Sequence, residues 1–146
     1  VMQADSDLQL LKGQISLARE SATNQRRSVE LQFLAPNVVQ IVRQNLPSGT
    51  TVISRVVLQH GAEYLKFGGH PDTPDGFGGS AAVNLGGVSR VFFTADGTLN
   101  DISGNPANAT IFIGQPTRPL TARALTIFGP TARLRGYRWN GAAWRQ

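Results

Sequence analysis

The sequence contains no cysteine, only two histidines and no run of about 18 apolar residues. Lack of cysteine excludes a disulfide framework, a thiolate zinc site and a cysteine nucleophile. Lack of a long apolar run predicts that no segment of these 146 residues spans a bilayer. Fingerprints such as G-x-S-x-G, the P-loop, H-E-x-x-H and the dinucleotide-binding glycine motif are also missing. We therefore predict that the protein is not an enzyme and holds no cofactor and no metal.

Acidic residues are missing from the carboxyl-terminal third of the chain. Residues 1–101 carry eight Lys or Arg and nine Asp or Glu, whereas residues 102–146 carry six Arg and no acid. Twelve of the fourteen basic residues are Arg, a side chain that favours bidentate contact with phosphate or carboxylate. This distribution predicts a basic surface that faces either an acidic partner protein or a nucleic acid.

One amphipathic helix is predicted at the start, from Asp5 to Gln25. Its apolar residues recur at spacings of three and four, which places them on one stripe. We expect the Asp5-Ser6-Asp7 segment to cap the first turn, where side-chain oxygens and negative charge are favourable. The predicted stripe consists of Leu8, Leu11, Ile15, Ala18 and Ala22.

Beyond Arg27 the apolar residues alternate with polar ones, which predicts β-strands. About seven strands with short links predict an α+β fold: an amino-terminal amphipathic helix packed on an antiparallel β body of two small sheets. We assign residues 1–146 to a single domain, with the helix in 1–27 and the β body in 28–146. The predicted strands lie near residues 29–33, 39–43, 52–58, 91–94, 109–114, 121–128 and 132–139.

A glycine- and proline-rich stretch, residues 68–88, is predicted to be a long loop that is either functional or mobile. His70, Asp72 and Asp75 within it raise two alternatives, a metal site and a hydrolase that uses the loop carboxylates. Their spacing matches no recognised ligand pattern. We therefore interpret the stretch as a solvated, turn-rich loop.

Three segments, in this order, resemble the GspH/FimT family of minor pseudopilins. The helix runs into Ser28-Val29-Glu30-Leu31-Gln32-Phe33, as a spine helix passes into the first strand of such proteins. Val91-Phe92-Phe93-Thr94-Ala95-Asp96-Gly97-Thr98 is similar to the family's F-x-x-D-G-T segment. Arg123-Ala124-Leu125-Thr126-Ile127 is similar to its late R-x-L-T-I stretch, which an arginine-bearing final strand follows.

The resemblance implies a pilin-like fold and a structural role in a type II secretion pseudopilus or a type IV pilus. Implied partners are other pilins or pseudopilins, and the inner membrane through a hydrophobic amino-terminal half-helix that carries the methylated end. Because Val1 precedes Met2, we interpret the chain as a processed or truncated product. The resemblance implies a periplasmic domain, anchored in the inner membrane or incorporated in a pilus or pseudopilus. We expect Leu8, Leu11, Ile15 and Ala18 to serve helix packing. The later turns would pack on the domain's own sheet, and the first turns would be exposed and pack within the filament.

Arg133, Arg135 and Arg138 are the candidate binding residues. On a regular strand the first two share one face and Arg138 lies on the other. A β-bulge at Gly136 would shift the parity and bring all three together on the outside. We expect the bulge, because it separates apolar from charged side chains.

Such an arginine cluster has two uses. It could face the acidic surface of a neighbouring pilin, or it could grip successive phosphates of double-stranded DNA without reading sequence. DNA-binding members of the family carry Gly-Arg-x-Arg where this chain has Ala132-Arg133-Leu134-Arg135. The main hypothesis is a structural minor pseudopilin, and the alternative is a DNA-binding minor pilin that acts in natural transformation.

Overall fold

The computed structural model describes residues 2–146, in which helix α1 spans Met2–Gln25. Its apolar stripe is buried from end to end: Leu8 is 7% exposed, and Leu11, Ile15 and Ala18 are at most 1% exposed. Several strands of the β body contact the helix. The expectation that the first turns of this stripe are exposed is therefore wrong.

The acidic residues at the start of the helix do not cap it, because the helix already includes Met2. Instead, Asp5 Oδ1 accepts a hydrogen bond from Arg123 Nε at 2.8 Å. Asp7 Oδ1 accepts one from the backbone N–H of Gln59, also at 2.8 Å. Both carboxylates therefore tie the helix to the β body. The predicted side-chain cap is wrong, whereas the predicted negative charge in the first turn is confirmed by Asp5.

The β body of residues 2–146 contains eleven strands in two sheets. Sheet A has five strands in the order β3-β2-β1-β6-β7, and sheet B has the order β11-β10-β9-β8-β4 with β5 also paired to β8. All of the pairings are antiparallel. The strands are β1 (Val29–Leu34), β2 (Val38–Gln44), β3 (Thr50–Val57), β4 (Glu63–Tyr64), β5 (Val83–Asn84), β6 (Val91–Phe93), β7 (Leu99–Asn100), β8 (Ala109–Gln115), β9 (Arg118–Phe128), β10 (Arg133–Trp139) and β11 (Trp144–Arg145).

The main apolar core lies where α1 meets one face of each sheet. It combines the helix stripe with residues of sheet A such as Ile41 and Phe93 and of sheet B such as Ile111 and Leu125. The opposite face of sheet B carries a second, smaller cluster, which includes Phe112, Ala122, Ala124, Tyr137, Trp139 and Trp144. Each face of sheet B is therefore covered.

The predicted α+β class is confirmed, as is a strand at each of the seven predicted positions. The prediction missed four strands, each two residues long: β4, β5, β7 and β11. Within residues 2–146, no helix combines the length and the apolarity that a bilayer crossing requires.

The glycine-rich stretch lies against the second face of sheet B. Its β5 pairs with β8, and Pro71 offers its carbonyl oxygen to Trp144 Nε1 at 2.7 Å. The His70 ring stacks on Trp139, with the ring centroids 4.0 Å apart. The stretch therefore covers the second cluster, and the simple interpretation of a solvated loop is wrong.

Candidate binding surface

Strand β10, which carries the three predicted arginines, is regular. Its pairing with β9 runs without a shift from Arg133 opposite Phe128 to Arg138 opposite Arg123. The bulge expected at Gly136 is therefore absent. Side chains of the strand alternate, so that Arg133 and Arg135 lie on one face and Arg138 lies on the other.

Gly136 makes room for α1 and does not form the predicted β-bulge. A Cβ atom at this position would lie 2.7 Å from Lys12 Nζ and 3.1 Å from Leu8 Cδ2. Glycine thus lets α1 approach the strand closely. The close approach of the helix, which the local pattern does not reveal, explains the glycine without a bulge.

Arg135 is held within the protein by Asp75 of the glycine-rich stretch. Its Nη1 donates to Asp75 Oδ1 at 2.7 Å, while Tyr137 and Thr126 donate their hydroxyls to Asp75 Oδ2 at 2.9 and 2.5 Å. Burial opposes ionisation of Asp75, but the three hydrogen bonds outweigh it, and its pKa lies below the ordinary value. This carboxylate fastens the stretch to sheet B.

Arg133 is exposed, and its guanidinium carbon lies 5.8 Å from the centroid of the Phe128 ring. This distance is within the range of a cation–π contact. Because no carboxylate of residues 2–146 forms an ion pair with it, Arg133 is open to an external anion.

Arg138 belongs to a different arginine group, on the face of sheet B that α1 covers in part. It pairs with Arg123 of β9 on one side and with Arg145 of β11 on the other. Directly opposed residues point to the same face, so the three arginines form a row across three strands. The structure thus places Arg138 on the opposite face of β10 from Arg133 and Arg135. It groups Arg138 instead with Arg123 and Arg145, which the prediction omitted.

The register of the last hairpin could have revealed part of this row. Four residues, 140–143, separate the paired Trp139 and Trp144, and this loop length places Arg145 opposite Arg138. Nothing local marks Arg123 as their neighbour, because that pairing depends on the preceding hairpin.

The residues of the metal and hydrolase alternatives have other roles. His70 packs among Phe67, Trp139 and Trp144. Asp72 accepts hydrogen bonds from the backbone N–H groups of Thr73 and Gly78, and Asp75 binds Arg135. Within residues 2–146, no three His, Cys, Asp or Glu side chains are grouped as a metal site requires.

The residues predicted for helix packing are placed within the chain's own core. Leu8, Leu11, Ile15 and Ala18 all belong to the main cluster. Leu17, on another side of α1, is instead 36% exposed. It is a large apolar side chain that the helix presents to its surroundings.

The architecture is that of the minor pilins and minor pseudopilins. No family model matches the chain, and no curated protein sequence does so. Solved structures do match. The type IV minor pilin FimU of Pseudomonas aeruginosa superimposes with a TM-score of 0.60 and 19% identity over 97% of both chains.

A second solved structure is the minor pseudopilin EpsH of the type 2 secretion system of Vibrio cholerae. It gives a TM-score of 0.61 at 10% identity, and covers 93% of this chain and 97% of its own. The chain therefore has a GspH/FimT-like minor pseudopilin fold, as the resemblance implied.

Proposed function

We propose that the chain is a non-enzymatic minor pilin or pseudopilin, a structural subunit that helps to initiate or cap a filament. One observation carries the proposal: its helix and two sheets match FimU over 97% of both chains. In this proposal residues 1–146 form one globular domain, and a hydrophobic half-helix upstream anchors the subunit in the inner membrane before assembly.

The exposed side of α1 supports a role in assembly. Its buried stripe already packs on the β body, so neighbouring subunits would contact other positions. Leu17 is such a position, since it is 36% exposed. We propose that filament partners are other pilins or pseudopilins and that they pack on this side of the helix.

Deletion of the encoding gene tests the proposal. We expect fewer surface filaments, or reduced type II secretion, and recovery when the full-length gene is returned. The two readouts also separate the two machineries. Unchanged filament number together with unchanged secretion would contradict a structural role in either one.

A DNA-binding minor pilin is the second candidate, and the exposure of Arg133 and Arg138 favours it. Neither forms an ion pair with a carboxylate in residues 2–146. They lie on opposite faces of β10, however, and Arg135 is bound to Asp75. The structural role is therefore the better supported of the two.

Fluorescence anisotropy of labelled duplex DNA separates the two candidates. Binding that weakens with salt and disappears in Arg133→Ala/Arg138→Ala would establish the DNA-binding pilin. The exposed pair Arg26→Ala/Arg55→Ala removes the same charge and serves as control. We expect no binding that depends on Arg133 and Arg138.

A further inference from the structure

A group of unbalanced positive charges lies beside the first turns of α1. We call it the basic end surface, and it consists of Lys12, Arg138 and Arg145. Arg138 and Arg145 are exposed and directly opposed on β10 and β11. Lys12 Nζ lies over Gly136, two residues before Arg138 on the same face of the strand.

The protein does not neutralise this surface internally. Like charges directly opposite one another on a sheet are destabilising. The one nearby carboxylate identified, Asp5, is engaged at 2.8 Å by Arg123, which is 1% exposed. None of the three basic residues forms an ion pair within residues 2–146. An external anion would relieve the repulsion.

An exposed apolar side chain, Leu120, lies at the same end of sheet B, three residues before Arg123 and therefore on the other face of the sheet. Leu120, at the start of β9, is 58% exposed. It lies beside the β10–β11 turn, 3.7 Å from where a Cβ of Gly141 would be. The ion pair between Asp5 and Arg123 places the beginning of α1 at the same end.

We propose that the basic end surface binds the phosphate groups of anionic phospholipids, with Leu120 entering the interfacial region. Basic residues and an exposed apolar side chain at the same end of a domain suit a bilayer that meets this end, because the bilayer offers phosphates above hydrocarbon. A DNA backbone offers a track of phosphates and no apolar layer, so it would leave Leu120 in water. The inference rests on the proposed function, because an anchored subunit holds the start of α1 beside the membrane.

Vesicle flotation tests the inference with the chain as it stands. Vesicles of phosphatidylcholine alone and with phosphatidylglycerol would be compared at low and physiological salt. Each basic residue near an anionic surface contributes roughly a factor of five, so Arg138→Gln/Arg145→Gln is expected to weaken partitioning by about 25-fold. Leu120→Ser is expected to weaken it further, by a salt-independent factor.

The matched control is Arg26→Gln/Arg55→Gln, which removes the same charge from exposed positions elsewhere. We expect it to retain nearly all partitioning to phosphatidylglycerol vesicles. Equal loss in the two double variants would overturn the inference, since it would indicate general attraction by net charge. Lack of preference for phosphatidylglycerol, or binding to a duplex DNA probe and not to vesicles, would overturn it as well.

The proposed function is judged separately, since flotation involves no other subunit. If the protein restores filaments or secretion in the deletion strain but does not bind anionic vesicles, only the lipid site is refuted. A chain that binds vesicles through Arg138 and Arg145 but restores neither would refute only the filament role.

Discussion

Replacement of Asp75 by asparagine should loosen the glycine-rich stretch from sheet B. The carboxylate accepts hydrogen bonds from Arg135, Tyr137 and Thr126 at 2.5 to 2.9 Å, and its side chain is 7% exposed. Asparagine keeps the shape, but it removes the charge and turns one acceptor oxygen into a donor. If the amide oxygen keeps the two hydroxyl donors, its NH₂ group faces the Arg135 guanidinium, and both of these groups are donors.

The expected cost follows from these contacts. A buried hydrogen-bonding group left without its partner costs about 1–3 kcal/mol, so we expect Asp75→Asn to lower the free energy of unfolding by about 2 kcal/mol. Urea unfolding at pH 7 measures it. The exposed Glu20→Gln is the control, with an expected change within about 0.5 kcal/mol.

The pH dependence gives the prediction a second, independent test. Because the pKa of Asp75 is lower in the folded protein than in the unfolded chain, its ionised form stabilises the fold. That contribution is complete above the unfolded pKa, about 3.9, and is lost as the pH falls through the lower folded pKa. The stability difference between wild type and Asp75→Asn should therefore shrink in acid. A variant as stable as Glu20→Gln at pH 7, or a difference that does not shrink in acid, would refute the reasoning.

Two further predictions concern packing and the helix start, and urea unfolding checks both. Gly129→Ala should destabilise the protein by about 2–3 kcal/mol, because its Cβ would lie 2.2 Å from the carbonyl oxygen of Ala107. Gly13→Ala is the control: it lies at an open helical position and should stabilise the protein by about 0.5–1 kcal/mol. If the two substitutions had equal effects, the close approach at Gly129 would be wrong. Asp5→Asn should cost about 1–2 kcal/mol, because it leaves the buried Arg123 with a neutral partner; no change would show that the pair does not hold the helix.

The elements that the sequence predicted are those whose evidence is local. Six of the seven predicted strands are six residues or longer, and α1 repeats its apolar residues at three and four. The seventh, β6, has three consecutive apolar residues and is followed by an Asp-Gly turn. The four missed strands are two residues long, too short to show any period. They form because a neighbouring strand supplies the pairing, as β8 does for β4 and β5.

The wrong predictions concern residues whose partners are distant in sequence. Asp5 was expected to cap a helix, but it pairs with a residue 118 positions away. Arg135 was expected to face solvent beside Arg138, but Asp75, 60 positions earlier, holds it on the opposite face. Charge and period alone do not reveal such pairs, so the site was predicted less well than the fold.

The two faces of sheet B show the same limit of local sequence pattern, which does not reveal what covers each face. The pattern of β10 alone favoured a bulge, because a regular strand places Arg133 and Arg135 with aromatic residues. The glycine-rich stretch resolves this conflict by covering that face and supplying a carboxylate. A loop that looked solvated in the sequence is therefore part of the packing.

The central claim, that the chain is a filament subunit, is tested most directly by cross-linking in the cell. Residues 1–146 contain no cysteine, so Leu17→Cys offers the one attachment point within this domain for a photoactivated cross-linker on the exposed side of α1. Mass spectrometry of the adducts would identify its neighbours. The account predicts adducts with pilin or pseudopilin subunits, and adducts without any such subunit would contradict it.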